Sequence, residues 1–180
     1  SQVKAYDEEL NAFVDEGFVV TRVRDYWKGN RFAGMPVNYA HSLGEDRLIQ
    51  AFYLFKNKNI TKPRCLIDAG TYTTIDFITE DGLVGGYIAP GIAAYPIVYS
   101  RGENLKTREL DLTHFKNELP HQTEEAMSGT YGAFPALASF WAQKLKIRSF
   151  TLTGGSYPYW ETALPSFLDC DLQSEPDLIH

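Results

Sequence analysis

The run Cys65-Leu-Ile-Asp-Ala-Gly-Thr-Tyr-Thr-Thr-Ile-Asp-Phe-Ile-Thr79 constrains the fold of this chain more than any other stretch. It is apolar and β-branched, as strands are, and Asp68, Gly70 and Thr71 interrupt it with an acid, a glycine and a hydroxyl. It therefore divides into two strands, Cys65 to Asp68 and Thr71 to Thr79. Asp81-Gly82 signals a hairpin, and Leu83 to Ile88 is the returning strand, weakened by Gly85 and Gly86 and ended by Pro90-Gly91. Such turns leave backbone N–H groups and hydroxyls room to meet an anion such as phosphate.

The best-signalled helix lies just upstream. Ser42-Leu-Gly-Glu45 fits a capping box, with Ser42 as N-cap and Glu45 at the third helical position. Leu48, Ala51, Phe52 and Phe55 then form one apolar face. At ~100° per residue, Asp46 points almost opposite that face, toward solvent or a cleft. Gly44-Glu45-Asp46-Arg47 thus offers a candidate base for phosphoryl transfer. Elsewhere, Tyr6 to Val14 reads as a short amphipathic helix, Phe18 to Val23 as a strand and Trp27 to Asn30 as a turn or loop. Met35 to Tyr39 is a short strand or extended loop, Lys56 to Arg64 a polar connector, and Ile92 to Tyr99 the start of a helix whose regularity Pro96 limits. Arg101 to Pro120 reads as loop. Thr123 caps a long helix running toward Leu145 with a kink at Pro135, and Gly129, Gly132 and Ala136 put small residues on one side of it. Phe150 to Thr153 is a strand ending in Gly154-Gly155, and the tail after Leu164 is acidic and loop-rich.

Length and composition bound the function. The 180 residues suffice for one substantial domain or two small ones, and 44% hydrophobic with 22% charged residues is ordinary for a soluble globular protein. A net charge of -6 argues against a nucleic-acid surface, and no apolar run approaches the ~20 residues that span a bilayer. The opening residues lack the pattern of a signal peptide, and Cys65 and Cys170 read as reduced thiols of a cytoplasmic protein. His41, His114, His121 and His180 lack metal-ligand spacing, which speaks against a protein-built transition-metal site.

Four stretches, in order, resemble the type III pantothenate kinases, also called the Bvg accessory factor family: Gly44-Glu45-Asp46-Arg47, Asp68-Ala69-Gly70-Thr71, Gly85-Gly86-Tyr87-Ile88-Ala89-Pro90-Gly91 and Thr153-Gly154-Gly155. Thr123, followed by Gly129, matches a further family position. The resemblance implies an α/β chain of the actin-like, ribonuclease H-like kinase fold shared with acetate and sugar kinases: mixed sheets flanked by helices, in two domains. It implies transfer of phosphate from ATP to the primary hydroxyl of pantothenate, the first step toward coenzyme A. By the match, Asp46 would be the general base; Gly44, Glu45, Arg47 and Thr123 would bind pantothenate; Thr71, Gly70, Gly85, Gly86, Gly154 and Gly155 would bind ATP. Asp68 would hold a monovalent cation, potassium or ammonium, and Mg²⁺ would arrive with ATP. The family also implies a homodimer; the cytoplasmic location and the lack of a nucleic-acid or membrane partner are expected from the thiols, charge and apolar runs above.

The chain departs from the pattern in three places. The family's opening Asp-x-Gly-Asn-Thr phosphate loop has no counterpart here, so residues 1–64 are expected to be the remainder of a first domain and residues 65–180 the C-terminal domain. As it stands, the chain is expected to bind ATP poorly. A substrate-contacting tyrosine of the family is replaced by Val37, for which Tyr39 is a candidate substitute, and the acid after Thr-Gly-Gly is Ser156. Two alternatives follow: a non-catalytic relative that binds a metabolite or regulates a partner, and a kinase for another small alcohol.

Overall fold

A computed structural model describes residues 19, 21–57, 62–105, 116–176 and 178. Within them, strands β1 (Trp27–Lys28), β2 (Arg31–Phe32) and β3 (Met35–Pro36) form a small antiparallel sheet. Helix α1 (Glu45–Asn57) follows, then β4 (Arg64–Ala69), β5 (Tyr72–Thr79) and β6 (Gly82–Pro90). Helices α2 (Ala94–Tyr99), α3 (Thr123–Gly129) and α4 (Ala133–Lys144) precede β7 (Ser149–Thr153), and α5 (Tyr157–Ala163) precedes β8 (Asp171–Ser174). The main sheet has the order β6-β5-β4-β7-β8. Its first two pairings are antiparallel, and β4 runs parallel to β7 as β7 does to β8. This is a mixed sheet flanked by helices, as the resemblance implies.

Both faces of the central strands are covered, which explains why they are so apolar. One face carries Cys65, Ile67, Ile75, Phe77, Phe150 and Leu152 against Ala138, Ala142 and Trp160. The other packs Leu66, Ile78 and Leu83 against Leu48, Ala51 and Leu54 of α1 and against Trp27, Phe32 and Met35 of the small sheet. Side chains alternate along a strand, so Asp68 of β4 and Thr74 and Asp76 of β5 lie on the α1 face with Leu66. Val37 bridges to Leu83, which ties the small sheet to β6.

The structure corrects several expectations. Trp27 to Lys28 is a strand, paired with β2 around Gly29-Asn30. Thr21 and Arg22 are not strand, and Val23 opens a 3-10 turn ending at Tyr26, while the helix predicted at Tyr6 to Val14 lies outside the described residues. The tail holds β8, an edge strand with only Leu172 apolar, which backbone pairing with β7 sustains. The long helix is interrupted by a 3-10 turn at Thr130–Gly132. There Tyr131 is fully buried, its hydroxyl 2.7 Å from Thr73 Oγ1, with Tyr95, Phe134, Tyr159 and Trp160 around its ring. The interruption lies just before Pro135, which has no N–H for the Tyr131 carbonyl and whose ring crowds it, so the break expected at Pro135 falls within the turn preceding it.

Burial pushes the Cys65 thiol well above its ordinary value, whereas Cys170 is only partly buried. Ellman's reagent at pH 8 is therefore expected to modify Cys170 in the folded protein and Cys65 only after denaturation. Release of both thiols at one rate without denaturant would contradict this packing.

Candidate functional site

The loop entering α1 is held in place from below. Arg24 donates to the carbonyls of His41 at 2.6 Å and Leu43 at 3.0 Å, and pairs with Glu45 at 3.0 Å. Helix α1 begins at Glu45, and the Gly44 carbonyl accepts from Leu48 N–H at 3.2 Å. Ser42 is therefore not the N-cap. A side chain at Gly44 would collide with the Asp46 carboxylate, which folds back beside the helix start. Asp46 is exposed, away from Leu48, Ala51 and Leu54, as its spacing predicts.

Arg47 is not at the surface. It is 2% exposed and bidentate to Asp76, with Nε 3.0 Å from Oδ2 and Nη2 2.6 Å from Oδ1. Its third nitrogen, Nη1, is buried without a hydrogen-bond partner, and Tyr39 covers the guanidinium with its ring centroid 5.2 Å from Cζ. Val37 is in the core, so Tyr39 is the tyrosine that reaches this group. Burial opposes the charge on Arg47, but Asp76, with a smaller contribution from Tyr39, holds its pKa above the ordinary value. Burial likewise raises the Asp76 carboxyl, Arg47 offsets part of this, and the nearby charges of Asp46 and Asp68 push it further up. Gly86 is the ladder partner of Asp76, and a Cβ there would collide with the Asp76 carboxylate and lie 2.7 Å from Arg47 Nη2. Gly85 has a φ of 149° beside the register shift at Phe77/Ile78.

Asp68, at the end of β4, accepts from Gln50 Nε2 of α1 at 2.8 Å. Gln50 Oε1 is buried without a partner, and so is the hydroxyl of Thr74, the ladder partner of Asp68. Gly154, at a φ of 81°, brings its backbone against Asp68, since a Cβ there would lie 2.6 Å from Oδ1. The N–H of Ser156 donates to the Ala69 carbonyl at 2.9 Å, and that of Gly91 to the Thr71 carbonyl at 3.1 Å. Thr71 is exposed in the β4–β5 turn with Gly70 beside it, and Gly155 borders open space. The start of α1, the β4–β5 turn and the loop after β7 thus converge. Among the described residues, no group of three or more His, Cys, Asp or Glu is placed to hold a metal.

Thr123 is the first residue of α3 and is exposed. The N-cap is Gln122, without a side-chain cap hydrogen bond, so Thr123 is not the cap; Glu125 accepts from His121 N–H, one residue before the cap, at 3.3 Å. Sequence reasoning also missed Asp76 and Gln50. The signal for Asp76 was present: an acid inside a buried strand requires a partner.

A family model described as type III pantothenate kinase matches residues 3–142. The chain belongs to that family. A type III pantothenate kinase from Rhodopirellula baltica is 29% identical over 96% of this chain and 64% of its own length. One from Kosmotoga olearia is 29% identical over 76% of this chain and 54% of its own length. A Campylobacter jejuni crystal structure, described as a Baf family transcriptional activator, superposes with a TM-score of 0.55 at 27% identity, covering 77% of this chain and 60% of that one. The chain thus spans less than two thirds of the length of these type III pantothenate kinases.

Replacing Arg47 with Ala is expected to cost about 3–5 kcal/mol at neutral pH, because Asp76 is left buried and unpaired. A carboxyl whose folded pKa exceeds its unfolded one favours folding when protonated, and loses that contribution as pH rises through the folded pKa. The deficit of the variant should therefore shrink as pH falls toward the ordinary aspartate value of about 4. Urea unfolding at pH 7 and pH 4.5 measures it; an equal deficit at both would exclude Asp76 as its source.

Proposed function

We propose that this chain carries the acceptor site of a kinase that transfers phosphate from ATP to the primary hydroxyl of pantothenate. The observation that carries this is the exposed Asp46 carboxylate, set at a helix start beside the Arg47–Asp76 pair, within a family of pantothenate kinases. Asp46 takes the hydroxyl proton as the alcohol oxygen attacks the γ-phosphorus. The bond from that phosphorus to the bridging oxygen breaks, and ADP leaves. Gly44, Glu45 and Arg47 border the acceptor, and Thr123 joins them in the assembled protein. Thr71, Gly70, Gly85, Gly86, Gly154 and Gly155 offer backbone and hydroxyl donors for the phosphates of ATP.

Asp68, with the unpaired oxygens of Gln50 and Thr74 on the same face, makes a hard-oxygen set suited to potassium or ammonium. Such a cation supplies positive charge against the phosphates. Mg²⁺ would be held mainly by ATP and water. On this proposal, residues 1–64 complete the end of a first actin-like domain, residues 65–180 form the second, and the protein works as a cytoplasmic homodimer. No helix among the described residues is long and apolar enough to cross a membrane.

A coupled ADP-release assay on protein from the complete reading frame, with ATP, Mg²⁺, K⁺ and pantothenate, tests the proposal. Asp46→Asn is expected to lower kcat by roughly 10²–10⁴-fold with little change in stability. Wild-type turnover by that variant would remove Asp46 as the base. Absence of turnover by folded wild-type protein would favour a non-catalytic relative, and faster turnover of another alcohol a different substrate.

A further inference from the structure

We infer that Asp76 is a positioning residue for the acceptor substrate, acting through Arg47. Asp76 occupies two of the three guanidinium nitrogens, Nε and Nη2, in a planar bidentate pair. The third, Nη1, is a buried donor without a partner, one residue from Asp46 in the chain. Buried donors of this kind are rare, because desolvation without a hydrogen bond is costly. Here the bidentate pair locks the plane of the guanidinium, and Tyr39 covers it. Nη1 is left as the donor outside that pair, with Tyr39 beside it. Its partner is an oxygen of the bound alcohol substrate, held so that the hydroxyl lies at Asp46. Gly86 belongs to the same device, since any side chain there would displace Asp76 or Arg47.

This inference rests on the proposed kinase activity, and its failure is distinguishable from the failure of that activity. In protein from the complete reading frame, Asp76→Asn is expected to raise KM for pantothenate about tenfold while kcat and KM for ATP stay within about twofold. In an Arg47→Ala background, adding Asp76→Asn should change KM for pantothenate no further, because its route of action is already gone. If Asp76→Asn does not fold, the wild type still decides the matter. In ¹⁵N spectra, pantothenate should shift the Arg47 Nη1–H resonance and leave Nε–H, which is committed to Asp76, in place.

Equal losses for both substrates or in kcat alone, additivity with Arg47→Ala, or an unmoved Nη1 would overturn the inference and leave the kinase activity standing. No pantothenate turnover by wild-type protein would overturn both.

Discussion

The buried pair of Arg47 and Asp76 sets the terms for everything around it. Two charges taken out of water recover their desolvation cost only when geometry is close to ideal, and this pair is bidentate. Its net contribution to stability is therefore small, yet its loss is expensive. That asymmetry makes it a register device. Helix α1 can sit on the sheet in only one axial position that delivers Arg47 to Asp76, and that position also delivers Gln50 to Asp68 and leaves Asp46 outside. The pair needs a partner strand without a side chain, and Gly86 supplies it. Apolar packing of Leu48, Ala51 and Leu54 holds the helix down, but apolar contacts alone tolerate sliding.

Polarity is distributed unevenly over the α1 face of the sheet. Leu66, Ile78 and Leu83 make a dry contact with the helix, whereas Asp68, Thr74 and Asp76 form a polar patch. Two strand turns and a helix start meet there. Among the described residues, the opposite face is mainly apolar, and there Thr73 and Trp160 hydrogen-bond the Tyr131 hydroxyl. One sheet thus combines a rigid support with a site that can tolerate charge. Asp46 and Asp68 raise the proton affinity of Asp76, so the three carboxylates are not independent, and bound cations would be felt by all of them.

Much of this was legible from spacing. The strands between Cys65 and Ile88, helix α1 and the outward direction of Asp46 follow from periodicity and turn residues, because local pattern and tertiary burial agree there. What was not legible depends on partners distant in sequence. The hairpin of β1 and β2 and the edge strand β8 are too short to show a period and exist through pairing. The interruption before α4 falls where Pro135 disturbs the helix, but the burial of Tyr131 there among aromatic rings follows no local rule. Nothing local pairs Asp76 with Arg47, which lies 29 residues away. Only the docking of α1 on β5 shows that each is buried because the other is.

The contact between Gly154 and Asp68 has a kinetic side. It joins the ends of β4 and β7, neighbours in the sheet but separated in the chain, among the described residues, by two strands of the meander and three α-helices. Closing so long a segment is slow, since its entropy is lost before the pairing compensates. The β4–β6 meander can form from nearby residues, while the contact of Gly154 with Asp68 waits for β7. A nascent or partly refolded molecule would then carry the Arg47–Asp76 pair before the Asp68–Gly154 contact, and that contact would report on the last step of folding.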